Sequence, residues 1–155
     1  MLVVDIRDLR LGPVETIGVL SAADEALAGL GLDLVQPLRV TGTLDATGRG
    51  DYFWRGRFGG TVRTTCRRCL VEIEVPVDTR VEVLFSTDLD LLDDPSVYAL
   101  DDAATHVDVR QAVREELALA APAFALCRDE CLGLCTTCGA DLNEGRCRCG
   151  APATS

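Results

Sequence analysis

The stretch "LCRDECLGLCTTCGADLNEGRCRCG", Leu126 to Gly150, holds six of the chain's 8 cysteines. The other two, Cys66 and Cys69, stand far upstream in "TTCRRCLVEIEV". All fall into short-spaced pairs: Cys66-x-x-Cys69, Cys127-x-x-x-Cys131, Cys135-x-x-Cys138 and Cys147-x-Cys149. Two such pairs brought together make the tetrahedral thiolate set that zinc takes. A Cys-x-x-Cys turn points both sulfurs to one side and aims backbone N–H groups at them, which offsets thiolate charge. Gly139, directly after Cys138, permits the positive φ of such a knuckle. Four pairs therefore satisfy two zinc sites.

Spacing suggests how the pairs combine. Cys135, Cys138, Cys147 and Cys149 are close in sequence and predict a compact zinc-ribbon-like module. Cys127 and Cys131 are then left to join Cys66 and Cys69. That second site would tie the cysteine-rich segment back to the body of the protein and close a long loop, which constrains the unfolded chain. Other uses of clustered thiols are weighed against zinc. Disulfides belong to oxidising compartments, and no secretory signal is visible in "MLVVDIRDLRLG". A redox Cys-x-x-Cys expects a βαβ context that is missing here. An iron–sulfur cluster uses the same four thiolates and stays open as an alternative. Catalytic zinc keeps an open position and favours His or carboxylate ligands, yet the sole histidine, His106, reads as a surface residue.

The elements that must hold these sulfurs are mostly strands. "LVVDIRDL" reads as an opening strand, and Leu34 to Phe85 alternates Val, Thr and aromatic residues with period two. "ATGRGD" and "FGG" mark turns, and Pro76 marks an edge or a bulge. Trp54, Phe53 and Phe58 read as sheet or core residues. "SAADEALAGL" predicts a short helix capped at Ser21, ended by Gly29 and Gly31. "STDLDLLDDPSVYALDDAATH" reads as an irregular, mobile acidic loop. Asp108 then caps the main helix, "VDVRQAVREELALAA", whose face is Val109, Val113, Leu117 and Ala120, and Pro122 stops it. The expected fold is α+β: an antiparallel, mostly-β domain built as a small, partly open barrel-like sheet, with one main helix and a C-terminal zinc-ribbon-like module. The expected organisation is a β domain over residues 1–126, a zinc-binding module over 127–150 and a tail over 151–155.

With 155 residues and 48% hydrophobic composition, a real core forms without disulfide staples. No apolar run is long enough to span a bilayer, so a cytoplasmic protein is expected. The net charge of -10 disfavours a generic nucleic-acid binder. The charge is uneven, however. Arg49, Arg55, Arg57, Arg63, Arg67 and Arg68 crowd one stretch, whereas Val81 to Asp108 is acidic and free of arginine. The first block suggests a contact to RNA. The second suits a very basic protein. No Ser–His–Asp set, phosphate-binding loop or dinucleotide turn occurs.

Taken together, "CRRCLVEIEV" and "REELALAAPAFALCRDECLGLCTTCGADLNEGRCRCG" resemble the YceD family, the large ribosomal RNA subunit accumulation proteins of bacteria. The likeness rests on Cys66, Arg68, Cys69 and Leu70, and on the run from Leu126 through Cys138-Gly139 to Leu142-Asn143. Thr136 departs from the family's pattern, where a proline is frequent. The resemblance implies a non-enzymatic ribosome-assembly factor that supports accumulation of 23S ribosomal RNA. It implies as partners a basic large-subunit ribosomal protein, the small zinc-ribbon one among the candidates, or ribosomal RNA, or both. No membrane or small-molecule substrate is expected. The alternative is a zinc- or thiol-dependent enzyme, redox or hydrolase, which would need a reactive thiol or an open metal position.

Overall fold

A computed structural model describes residues 1–149; the expected tail, 151–155, lies outside the described residues. The strands are β1 (Val3–Asp5), β2 (Val14–Leu20), β3 (Asp33–Leu34), β4 (Leu38–Gly48), β5 (Asp51–Thr65), β6 (Glu72–Ser86), β7 (Val97–Ala99) and β8 (His106–Asp108). One α-helix, α1, spans Arg110–Ala120. The main sheet runs β2-β4-β5-β6-β7, and β3 extends it by pairing with β5. Its pairings are antiparallel except the short β6–β7 contact, and β1 pairs separately with β8. The fold is the expected α+β one: an open, mostly antiparallel sheet with one helix.

Alternation decides which face is covered. Trp54, Phe58 and Val62 of β5 and Val77, Val81, Val83 and Phe85 of β6 point inward and are buried. Arg55, Arg57 and Arg63, and Glu72, Glu74, Asp78, Arg80 and Glu82, occupy the other face. α1 lays Ala112, Val113 and Leu117 on the inner face. Trp54 fixes the register there. Its indole lies over the paired Gly42 and Gly56; a Cβ at Gly42 would sit 2.7 Å from Nε1, and one at Gly56 would overlap the ring. The buried Nε1–H donates to Thr16 Oγ1 at 2.9 Å, so the ring is packed and its polar atom satisfied. Pro76 faces the open edge of β6, where a missing N–H costs nothing.

Two local expectations change. The segment from Ser21 holds only a single 3₁₀ turn, Glu25–Leu27, capped by Asp24 rather than Ser21. So short a stretch does not offset helix nucleation, and Arg114 Nη1 takes the carbonyls of Ala26 and Ala28 instead (2.9 and 2.6 Å). The acidic segment is not irregular throughout. Asp88, Asp94 and Asp101 each accept the N–H two residues on, a 3₁₀ turn covers Leu89–Leu91, and β7 buries Tyr98 against Phe85 at 5.4 Å between ring centroids. The Tyr98 hydroxyl donates to Glu115 of α1 at 3.0 Å. α1 itself begins with Val109 at its N-cap, while Asp108 accepts the Arg110 N–H at 3.0 Å.

Candidate metal centres

The β5–β6 connection is a knuckle. Cys66 follows β5 directly; its N–H donates to the Val71 carbonyl (2.8 Å) and its carbonyl accepts from Leu70 (2.9 Å). Further on, Cys135 donates to Ala140 and accepts from Gly139, both at 2.8 Å. The two turns share one hydrogen-bond pattern. Both need a left-handed residue after the second cysteine: Gly139 has φ 73°, and Leu70 has φ 63°. Sequence reasoning anticipated the glycine and missed that Leu70 adopts the same conformation. Leu70 is the one non-glycine residue with positive φ among the described residues, and that conformation costs about 1–2 kcal/mol.

The thiols converge as two sets, Cys66/Cys69/Cys127/Cys131 and Cys135/Cys138/Cys147/Cys149, each with its sulfurs within 4.8 Å of one another. This is the grouping that spacing suggested. In the first set Cys66 Sγ lies 3.7 Å from Cys131 Sγ, and Cys69 Sγ lies 3.7 Å from Cys127 Sγ. Four sulfurs about 2.3 Å from a tetrahedral zinc stand about 3.8 Å apart, so this set has the dimensions of an S₄ site. Cys66, Cys69 and Cys131 are buried, and Leu126 and Leu134 pack against them. The segment is held in place by Arg67 N–H donating to Ala125 (2.9 Å) and by Arg68 Nη1 donating to Cys131 O (3.1 Å). The second set is more open and less even, with 3.4 Å between Cys135 and Cys149 and 3.1 Å between Cys147 and Cys149.

Charge in each set is divided. Backbone N–H groups, Cys69's foremost, lower the Cys66 thiol to about 6 against the opposing effect of burial. The Cys138 N–H does most of the same for Cys135, also to about 6. Burial, reinforced by neighbouring thiols, pushes Cys127 up to about 12. Some sulfurs ionise readily, and the rest resist a second negative charge nearby. A bound dication would resolve that conflict, because all four sulfurs could then be held as thiolates.

One further residue joins the sets. Asn143 lies in the 3₁₀ turn Leu142–Glu144, between Cys138 and Cys147. Its Nδ2 donates to Cys131 Sγ (3.3 Å) and to Asp141 (2.9 Å), and its Oδ1 accepts the Leu132 N–H (2.9 Å). This amide is the leading cause of the lowered Cys131 thiol. A residue inside the loop of the second set therefore steadies a sulfur of the first.

A family model described as "Large ribosomal RNA subunit accumulation protein YceD" matches residues 54–154. The chain belongs to the YceD family. The matched stretch of this YceD protein starts at Trp54 and takes in every cysteine, Leu70 and Asn143. No curated protein and no solved structure matches it.

Other expected features sort differently. His106 is exposed, bonded to Thr105, and belongs to neither thiol set. Among the described residues no helix is long and apolar enough to cross a membrane. Three of the six arginines of the expected RNA contact are paired with carboxylates. Arg55 pairs with Glu82 (3.6 Å), Arg57 with Asp78, and Arg63 with Asp33, Glu72 and Glu74 (3.5, 3.4 and 3.5 Å). Cross-strand neighbours neutralise these arginines, as opposite charges on one sheet face do. Arg49 sits at the far end of the 15-residue β5 from Arg67 and Arg68.

Proposed function

We propose that this YceD chain is a non-enzymatic, cytoplasmic ribosome-assembly factor that supports accumulation of 23S ribosomal RNA, acting by binding a basic large-subunit ribosomal protein and ribosomal RNA. Family membership supports the assembly role. The observation that carries the non-enzymatic reading is the pair of closed four-sulfur sets. Cys66, Cys69, Cys127 and Cys131 would hold one zinc, and Cys135, Cys138, Cys147 and Cys149 a second. Zinc bound by four thiolates supplies structure rather than Lewis-acid chemistry, since no position is left for water. Residues 127–149 then form a metal-dependent module joined to the β domain through the first site.

The acidic segment supports the protein contact. Asp90, Asp93 and Asp102 are exposed there beside Leu89, and complementary charge speeds encounter with a basic partner. A pull-down at mild salt, with bound protein and RNA identified, tests the reading. Recovery of a basic large-subunit protein, weakened and made less salt-sensitive when Asp90, Asp93 and Asp102 become Asn, is the expected result. Binding unchanged by those substitutions counts against the acidic contact. Rapid modification of a single cysteine in protein that retains its metal favours a thiol enzyme instead.

A further inference from the structure

The knuckle at the end of the β5–β6 hairpin presents a surface that the metal site does not require. The Arg67 guanidinium lies 4.3 Å from the centroid of the Phe124 ring, yet Phe124 remains 70% exposed. Leu70 is 61% exposed although its backbone adopts a conformation that favours glycine, and Val71 beside it is half-exposed. An open groove of about 380 Å³ runs between Arg67, Arg68, Phe124 and Leu126. Arg55, Arg57 and Arg63 of the strand face are paired with carboxylates, whereas neither Arg67 nor Arg68 has an ion-pair partner among the described residues. A planar cation–aromatic stack, an exposed leucine despite backbone strain, and two guanidinium groups without a carboxylate partner thus meet at one tip, Arg68 being anchored through Nη1 on the carbonyls of Asp129 and Cys131 (3.3 and 3.1 Å). Metal binding alone does not explain a leucine at position 70, since Gly139 serves the matching knuckle.

We infer that this tip binds unpaired RNA, with a base stacked on the Arg67–Phe124 platform and against Leu70, and the adjoining phosphate taken by Arg68. This rests on the assembly reading above and names the contact to RNA. Bases splayed from single strands stack on aromatic rings and on guanidinium planes alike, whereas a paired helix keeps its bases inside. Arg67 and Arg68 offer a small positive site on a chain whose net charge is -10, so a strand is held locally and duplex is not wrapped.

Anisotropy with a labelled single-stranded RNA ten-mer and its duplex, on full-length zinc-loaded protein, tests this. The single strand should bind more tightly than the duplex. Phe124→Ala should weaken it about fivefold or more, the range of one lost base stack. Arg67→Lys, which keeps the charge and loses the plane, should weaken it as well. Leu70→Gly suits the turn's backbone, so it should retain both zinc ions while binding less. Unchanged affinity in Phe124→Ala and Arg67→Lys, equal affinity for duplex, or loss of ribosomal-protein capture instead of RNA binding each overturns the inference. Sedimentation separates this from the assembly reading. Wild-type protein that travels with large-subunit precursors, while Phe124→Ala binds RNA normally, sinks only the tip. Wild-type protein that binds RNA through Phe124 yet never meets those precursors sinks only the assembly role.

Discussion

Asn143 offers the sharpest test of how the metal centres are built. Asn143→Ala removes the amide that donates to Cys131 Sγ at 3.3 Å and the oxygen that accepts from Leu132 at 2.9 Å. The Leu132 N–H is at an exposed position and regains water, so the main loss is the bond to the sulfur. A hydrogen bond to a charged group is worth about 1.5–3 kcal/mol, and loss of a group that supports a metal ligand lowers affinity about 10–100-fold. Asn143→Asp keeps the acceptor for Leu132 but replaces the donor with a carboxylate facing a thiolate. Its effect should exceed that of alanine. The assay is zinc transfer to a chromogenic chelator: wild-type protein should release two zinc ions per chain, the ion at the buried first set more slowly. The slow phase should quicken in the order wild type, Asn143→Ala, Asn143→Asp. If Asn143→Asp releases both ions at the wild-type rate, or only the faster phase changes, Asn143 does not support the first site. Iron in place of zinc in the freshly reduced protein overturns the metal assignment itself.

Two further outcomes follow from the packing. Cys66→Ser breaks a link between residues 65 positions apart. By chain-entropy reasoning such a link contributes about 4 kcal/mol, so melting temperature should fall clearly, whereas Cys147→Ser should lose one zinc and leave the β-domain transition near wild type; equal losses refute that division. Burial, aided by Glu115, raises the Tyr98 hydroxyl above its ordinary range. The folded state then keeps a proton that the unfolded chain gives up, so this contribution is complete below about pH 10 and is lost as pH rises beyond it. Chemical denaturation at pH 7 and above pH 10 should show that loss in wild type and not in Tyr98→Phe, and an identical pH slope in both rules it out.

What could be read from the sequence depended on whether a residue's role is set by its type and spacing or by a distant neighbour. The strands of Leu34 to Phe85 were legible because inward Val, Phe and Trp alternate with outward charges. The thiol grouping was legible because loop lengths favour it. The strand arginines misled, because one sequence block of positive charge meets carboxylates from β3 and β6 that only the register brings alongside. The helix expected from Ser21 is too short to offset nucleation, and Arg114, far along the chain, takes carbonyls there that a helix would have used. Asn143 sits inside the quoted Leu142-Asn143 signature, yet nothing local shows that its amide reaches Cys131. Leu70 likewise stands in the Cys69-Leu70 step, and only its φ of 63° reveals what that position requires.

The placement of the first thiol set also follows from strand length. β5 and β6 are each 15 residues long, but the core formed with α1 does not extend beyond Val62 and Val77 toward the knuckle. Past that point Val75 and Ile73 are only half-buried, so the hairpin overhangs its own core. A two-stranded ribbon without a covered face is marginal in water. The thiol set stands where that overhang ends, with Cys66, Cys69 and Cys131 packed as a small separate cluster against Leu126 and Leu134. Metal bonds there would replace the apolar burial that the sheet lacks. They would also leave Leu70 and the exposed face of Phe124 free of packing duty in the core. A tip that projects beyond the β-domain core and packs only on the thiol cluster with Leu126 and Leu134 can present Arg67, Leu70 and Phe124 to a partner, and the cost of exposing them would be borne by the metal site rather than by the β-domain core.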